Sequence, residues 1–176
     1  AHAIESAHIA LLTQDRIAII VCDISTTGHV SSCQKSTNSQ ISTHKPYKIA
    51  YYYDTTNKVH VLLAVYKDAA GVYNHFIKCI LDVNKEKVQS CTPETSVPPL
   101  AGSVLSIVPS FKWIYLDTEN GISKCDNVNY NCRAHDSTLL SASGLSVMGG
   151  VLYSVGMGYG DVMKIKSYNE TNICCW

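Results

Sequence analysis

The chain has 176 residues, enough for one well-buried domain or two small ones. It is 46% apolar and only 16% charged, with 14 Lys and Arg balanced by 14 Asp and Glu. With no basic surplus and no basic run, the composition excludes a nucleic-acid partner; weak self-repulsion instead tolerates close packing of copies.

The N-terminal stretch AHAIESAHIALL lacks both an initiator Met and a basic segment, and it reads as a mature terminus with any signal peptide removed. Ile4, His8, Leu11 and Leu12 would share one face of a helix. A strand over 7–12 is preferred, because TQD then turns into the apolar run RIAIIVC. That run is far shorter than the roughly 20 residues of a membrane span, and no stretch approaches that length.

The segment KIAYYYDTTNKVHVLLAVYKDAAGVYNHFIKCILDVNKEKVQSC predicts four strands, at about 48–53, 58–66, 72–81 and 87–91. Its connectors DTTN, KDAAG and VNKEK are short and polar, which forces an antiparallel meander. Alternation sends Tyr51 and Tyr53 to one face and Tyr52 to the other, with at least one of them in the core. TPETSVPPLAG (92–102) holds three of the five prolines and reads as a connector between two unequal halves.

A hairpin recurs along the chain, as IIVCDISTTGHVSSC (19–33), KCILDVNKEKVQSC (78–91), WIYLDTENGISKC (113–125) and MKIKSYNETNICC (163–175). Each copy has an apolar strand, then Asp23, Asp82, Asp117 or Ser167, then a polar turn, then Val30, Val88, Ile122 or Ile173, and a Cys. The acidic or hydroxyl residue is expected to accept backbone N–H groups in the turn. The closing cysteines at 33, 91, 125 and 175 give a mean period of about 47 residues, in the range of propeller blades. The fold expected is therefore all-β: antiparallel β-meander repeats in a four-repeat propeller-like domain, disulfide-stabilised, with a two-sheet β-sandwich as the alternative. The quasi-repeats are expected at about 1–33, 34–91, 98–132 and 133–176, each half pairing a short hairpin copy with a longer four-strand copy. Pairing of the N-terminal strand near the C-terminal one would leave few open edges.

Eight cysteines without CxxC pairs argue against zinc and for disulfides in an oxidising compartment. Asn169-Glu170-Thr171 is a glycosylation sequon and agrees with a secreted or extracellular location. Cys22–Cys33, Cys79–Cys91 and Cys125–Cys132 are one set of partners, leaving Cys174 and Cys175 as a vicinal pair. In the other reading Cys174, which a strand would turn away from Cys175, bridges to a second chain and Trp176 seals an interface.

Few residue patterns in the chain carry chemistry. GLSVM around Ser146 lacks the second Gly of a nucleophile elbow, and GMGYG (156–160) reads as a hairpin turn rather than a phosphate cradle. None of the seven His has metal-ligand spacing, and neither a cofactor nor a metal is expected. CDNVNYNC (125–132) places Asn127, Asn129 and Asn131 on alternate positions, as a disulfide-pinned loop that holds a sugar or is simply surface; Asp126 alone is too few carboxylates for calcium. Trp113, Tyr115, Tyr130, Tyr153 and Tyr159 are the aromatic candidates for stacking on a ligand, with strand packing as the plainer role of each.

Three functions follow. The first is a secreted, non-catalytic binding module, lectin-like or adhesive, recognising a glycan or an extracellular protein surface. The second is a self-assembling subunit of an extracellular fibre, coat or matrix. A secreted hydrolase is the third and the least supported.

Overall fold

A computed structural model describes residues 2–5, 7–85, 87–97, 100, 102–134, 142–157 and 163–169. It is nearly all β. The chain divides into two compact units, Ala1–Thr95 and Ser96–Trp176. No helix among the described residues is long and apolar enough to cross a membrane.

The first unit contains two four-stranded antiparallel meanders. One is formed by β1 (His2–Glu5), β2 (His8–Leu12), β3 (Ala18–Ile24) and β4 (Val30–Thr37), in that order. A short helix, α1 (Ser39–His44), follows; Asn38 caps it by accepting the Gln40 N–H at 2.9 Å, and Ile41 is its buried residue. The second meander is β5 (Lys48–Asp54), β6 (Val59–Lys67), β7 (Tyr73–Asp82) and β8 (Lys87–Glu94). The second unit has a sheet of β9 (Val104–Ser110), β10 (Trp113–Thr118), β11 (Gly121–Asp126) and β12 (Cys132–Ala134). It ends with β13 (Ala142–Met148), β14 (Val151–Met157) and β15 (Met163–Asn169).

The N-terminal ambiguity resolves to strands. His8–Leu12 is β2, and the residues before it form β1, registered Ile4 to Ile9 and Glu5 to His8. The first copy is thus a full four-stranded sheet, not a short hairpin, and so is the third. Four- and three-residue strands such as β1 and β12 are too short to print an alternation of their own.

Apolar patterning explains the cores. In β6 the run VHVLLAVYK is buried from Val61 to Tyr66, because both faces of the strand are covered. Leu62, Ala64 and Tyr66 join Ile49, Tyr51, Ile77 and Leu81 against Ala10, Leu12, Ile19 and Val21 of the first sheet. Tyr51 and Tyr52 are both buried on opposite faces, and Tyr53 is half-buried. Across the sheets Ser36 Oγ accepts the Val88 N–H at 3.0 Å. In the second unit Tyr115, Ile122 and Leu152 form a core with Leu145 and Val147.

Among the described residues three disulfides staple the sheets: Cys22–Cys33, Cys79–Cys91 and Cys125–Cys132, with Cα–Cα distances of 4.1, 4.0 and 3.9 Å. Each joins the third strand of its sheet to the fourth. This corrects the phase of the repeat. Cys125 stands on a third strand, equivalent to Cys22 and Cys79, whereas the sequence pattern aligns it with Cys33 and Cys91. The pattern slips because β10 and β11 are a second and third strand that share the apolar–turn–apolar signature of the third and fourth.

Of the strand-end acids, Asp23 takes a partner outside the turn. Asp23 pairs with His8 Nε2 across β2 and β3 at 3.2 Å, and Asp117 is buried within β10. Asp54, Asp68, Asp126 and Ser25 brace turns by accepting backbone N–H groups. Asp54 shows the physics. Burial raises its carboxyl pKa, but bonds from the Asn57 amide side chain at 2.7 Å and from the Asn57 and Thr56 N–H groups hold it below the ordinary value. Because the folded pKa is the lower one, the stabilisation is complete above the unfolded value of about 3.9 and is lost as pH falls through the folded value. Asp54→Ala is expected to cost about 1–3 kcal/mol at pH 7. Urea titrations at pH 7 and pH 3 test this; an equal deficit at both would remove the carboxylate from the account.

Candidate functional site

The hairpin joining β9 to β10 is a two-residue loop, since Ser110 registers with Trp113. Its central residues are Phe111 and Lys112, and Phe111 has a φ of +36°. A positive φ at the first central position only is the pattern of a type II′ turn, where glycine is the preferred residue. The loop between β13 and β14 meets a related demand with Gly149 and Gly150, at φ +60° and +75°. A bulky residue in this region costs on the order of 1–3 kcal/mol. Burial does not offset that cost, because Phe111 is 78% exposed.

The turn is held from behind by the 126–131 loop. Asn127 donates its side-chain N–H to the Phe111 carbonyl at 2.8 Å, and its backbone N–H to the Lys112 carbonyl at 3.0 Å. Asp126 organises the loop by accepting the Val128 and Asn129 N–H groups at 2.8 and 2.9 Å. Tyr130 anchors it, buried with φ +54°, and Cys125–Cys132 closes its ends. Trp113, 36% exposed, follows the turn, with Lys124 Nζ 4.3 Å from its ring centroid. Lys112 Nζ lies 5.9 Å from the Phe111 ring. Two solvent-facing aromatic rings with cations against them are thus carried on a clamped hairpin.

The sequence candidates separate into distinct roles. Trp113 is at this surface, and Asn129 and Asn131 are exposed on its bracing loop. Tyr115, Tyr130 and Asn127 are buried, so their rings and amide are not faces a ligand stacks on; Tyr115 fills the core and the other two build the clamp. Tyr153 is half-buried on β14, registered with Ser146 and Ser167. Tyr159, Cys174, Cys175 and Trp176 lie outside the described residues, and Asn169 is the last residue of β15. Phe111 escaped the sequence reading, although a hairpin centred on Phe-Lys instead of Asn-Gly is a visible anomaly.

The first unit carries a related surface. Tyr47 and Tyr73 have ring centroids 4.7 Å apart, with Lys48 Nζ 4.7 Å from the Tyr47 ring and Lys67 Nζ 5.0 Å from the Tyr73 ring. Its other polar cluster is the His8–Asp23 pair, near which His60 Nδ1 bonds the Tyr51 hydroxyl at 2.9 Å. Among the described residues no group of three His, Cys, Asp or Glu side chains could hold a metal ion.

No protein-family model matches the chain, and none of the curated proteins matches it. Solved structures do. The chain is similar to the Dos1 propeller with a TM-score of 0.54 and 11% identity, over 98% of this chain and 45% of that one. Its four sheets fit propeller-like blades. The extracellular domain of a hybrid two-component system from B. thetaiotaomicron matches with a TM-score of 0.52 and 16% identity, over 90% of this chain and 19% of that one. The computationally designed Ika4 protein aligns with a TM-score of 0.49 and 13% identity, over 94% of this chain and 88% of that one. The chain spans less than half the length of the first two, and identities this low show the fold alone.

Proposed function

We propose that the protein is a secreted, non-catalytic binding module, adhesive or lectin-like, that recognises a glycan or an extracellular protein surface through the Phe111–Trp113 hairpin. The observation that carries this reading is Phe111 itself. A large apolar ring is exposed at a backbone position suited to glycine, on a turn clamped by Asn127. Strain kept without burial points to a ligand rather than to folding. Sugar rings stack on such aromatic faces, and a clamped hairpin loses little freedom on binding. The disulfides suit an oxidising compartment, and the extracellular domain among the structural neighbours is in keeping with it. The four quasi-repeats act in this reading as one all-β domain, with Asn169 glycosylated.

The test separates stability from binding. Phe111→Gly is expected to leave urea stability unchanged or raised by up to about 1 kcal/mol, while Trp113→Ala and Phe111→Gly each weaken binding on a glycan or protein array about tenfold or more. If both variants bind like wild type, the hairpin is not the site.

A specific observation favours assembly as a second, compatible reading. Six cysteines are consumed by bonds between third and fourth strands, and β15, the third strand of its sheet, carries none. The described strands of that sheet, β13, β14 and β15, hold no cysteine that could pair with Cys174 or Cys175. In this reading Cys174 bridges two copies, with Trp176 at their contact. Non-reducing mass spectrometry is expected to show a disulfide-linked dimer mapping to Cys174; a monomer whose two last cysteines are joined to each other would reject it.

A further inference from the structure

Independently of the binding reading above, we infer that Cys33 is a thiol-exchange site. Its sulfur is the atom that a small-molecule thiol of the glutathione class attacks, and the Cys22–Cys33 bond opens before the other two described disulfides. The three bonds differ in how their second cysteine is held. Cys33 is exposed, whereas Cys91 and Cys132 are half-buried, and Cys22, Cys79 and Cys125 are buried. Exchange needs a thiolate to reach one of the two sulfurs, so access selects both the bond and the sulfur attacked.

The sheet around the bond favours the same sulfur. Cys79 and Cys91 are direct register partners, as are Cys125 and Cys132. Cys22 instead faces a bulge: Val21 registers with Gln34 and Asp23 with Ser31, so Ser32 and Cys33 together oppose it. A bulge leaves one residue out of the ladder, so backbone hydrogen bonds hold this part of β4 less closely. Side chains do not make up the difference. Every residue from Val30 to Lys35 is exposed, and β4 ends the strand order of its sheet. In β8, by contrast, Val88 and Cys91 pack against the core. Local opening is cheapest where few apolar contacts must be broken, and the first half of β4 is such a segment.

Exchange proceeds in two steps. The thiolate attacks Cys33 Sγ; its new S–S bond forms as the Cys22–Cys33 bond breaks, and the electron pair leaves on Cys22 Sγ, which takes a proton from water. A second thiolate attacks the glutathione sulfur of the mixed disulfide, so that Cys33 departs as a thiol and two glutathiones end joined as their disulfide. The first half of β4 is then no longer stapled to β3. The rest of the unit keeps its packing, because Ala10, Leu12, Ile19 and Val21 join the first sheet to the second without β4.

The test adds reduced glutathione to the native, oxidised full chain, quenches samples with acid, alkylates free thiols with N-ethylmaleimide in denaturant and quantifies each cysteine peptide by mass. Cys174 and Cys175 are read in their own peptide and do not enter the comparison. Opening of Cys22–Cys33 is expected to be about tenfold or more faster than opening of Cys79–Cys91 or Cys125–Cys132, with glutathione carried on Cys33 and not on Cys22. At that stage amide exchange is expected to rise across β4 and to stay native across β6. Equal rates at the three bonds, earlier opening of either other bond, or glutathione attached to Cys22 overturns the assignment. So does a rise of exchange across β6 in step with the first reduction, because the bond would then open only through unfolding of the whole unit.

Discussion

Replacing Leu62 with alanine is expected to destabilise the protein by about 2–5 kcal/mol. Leu62 is completely buried at the centre of β6, facing the residues of the first sheet. Both of its strand neighbours are buried too, so the sheet has little room to close over the space left behind. Val30, 42% exposed at the start of β4, is the natural control, and Val30→Ala is expected to change stability by no more than about 0.5 kcal/mol. Urea unfolding with the slope held constant compares them. If the two variants differ by less than 1 kcal/mol, the packing of the first two sheets is not what holds the unit together.

Reducing the three disulfides is the second large effect. Cys22–Cys33, Cys79–Cys91 and Cys125–Cys132 close loops with sequence separations of 11, 12 and 7. Loops of this length are worth about 2–4 kcal/mol each through the entropy of the unfolded chain. Removing all three takes away an amount comparable to the whole stability of an ordinary domain, about 5–15 kcal/mol. Full reduction is therefore expected to unfold a large fraction of the protein at room temperature. The first bond also has a local role. Almost every residue of β4 is exposed, so its apolar contacts contribute little to holding it against β3. Cys22→Ser with Cys33→Ser is expected to raise amide exchange across β4 well above that across β8 in the Cys79→Ser, Cys91→Ser pair. Retention of native near-ultraviolet dichroism in the reduced protein would contradict the first expectation, and equal exchange in β4 and β8 the second.

The second sheet was the most legible part of the sequence. Its strands were expected at 48–53, 58–66, 72–81 and 87–91 and are found at Lys48–Asp54, Val59–Lys67, Tyr73–Asp82 and Lys87–Glu94. Long strands of β-branched and aromatic residues, joined by Asp- and Gly-containing turns, state their boundaries locally. β1, β12 and the polar β4 were less legible, because their place is set by the strand beside them. The site divides in the same way. Trp113 was nameable as an aromatic candidate, but nothing local distinguished it from Tyr115, two residues on and on the same face. Sheet packing makes one half-exposed and buries the other completely.

Composition and periodicity by themselves determined an all-β, antiparallel, disulfide-stabilised repeat protein, because alternation, turn chemistry and cysteine usage are properties of neighbouring residues. Only the tertiary structure decided which strand of each sheet carries each cysteine, that Asn127 clamps the hairpin instead of facing a ligand, and that Phe111 stands strained in solvent. It also brought Leu152 onto Tyr115. Those outcomes depend on strand register and on which faces are covered, and both are set by contacts between residues far apart in the chain.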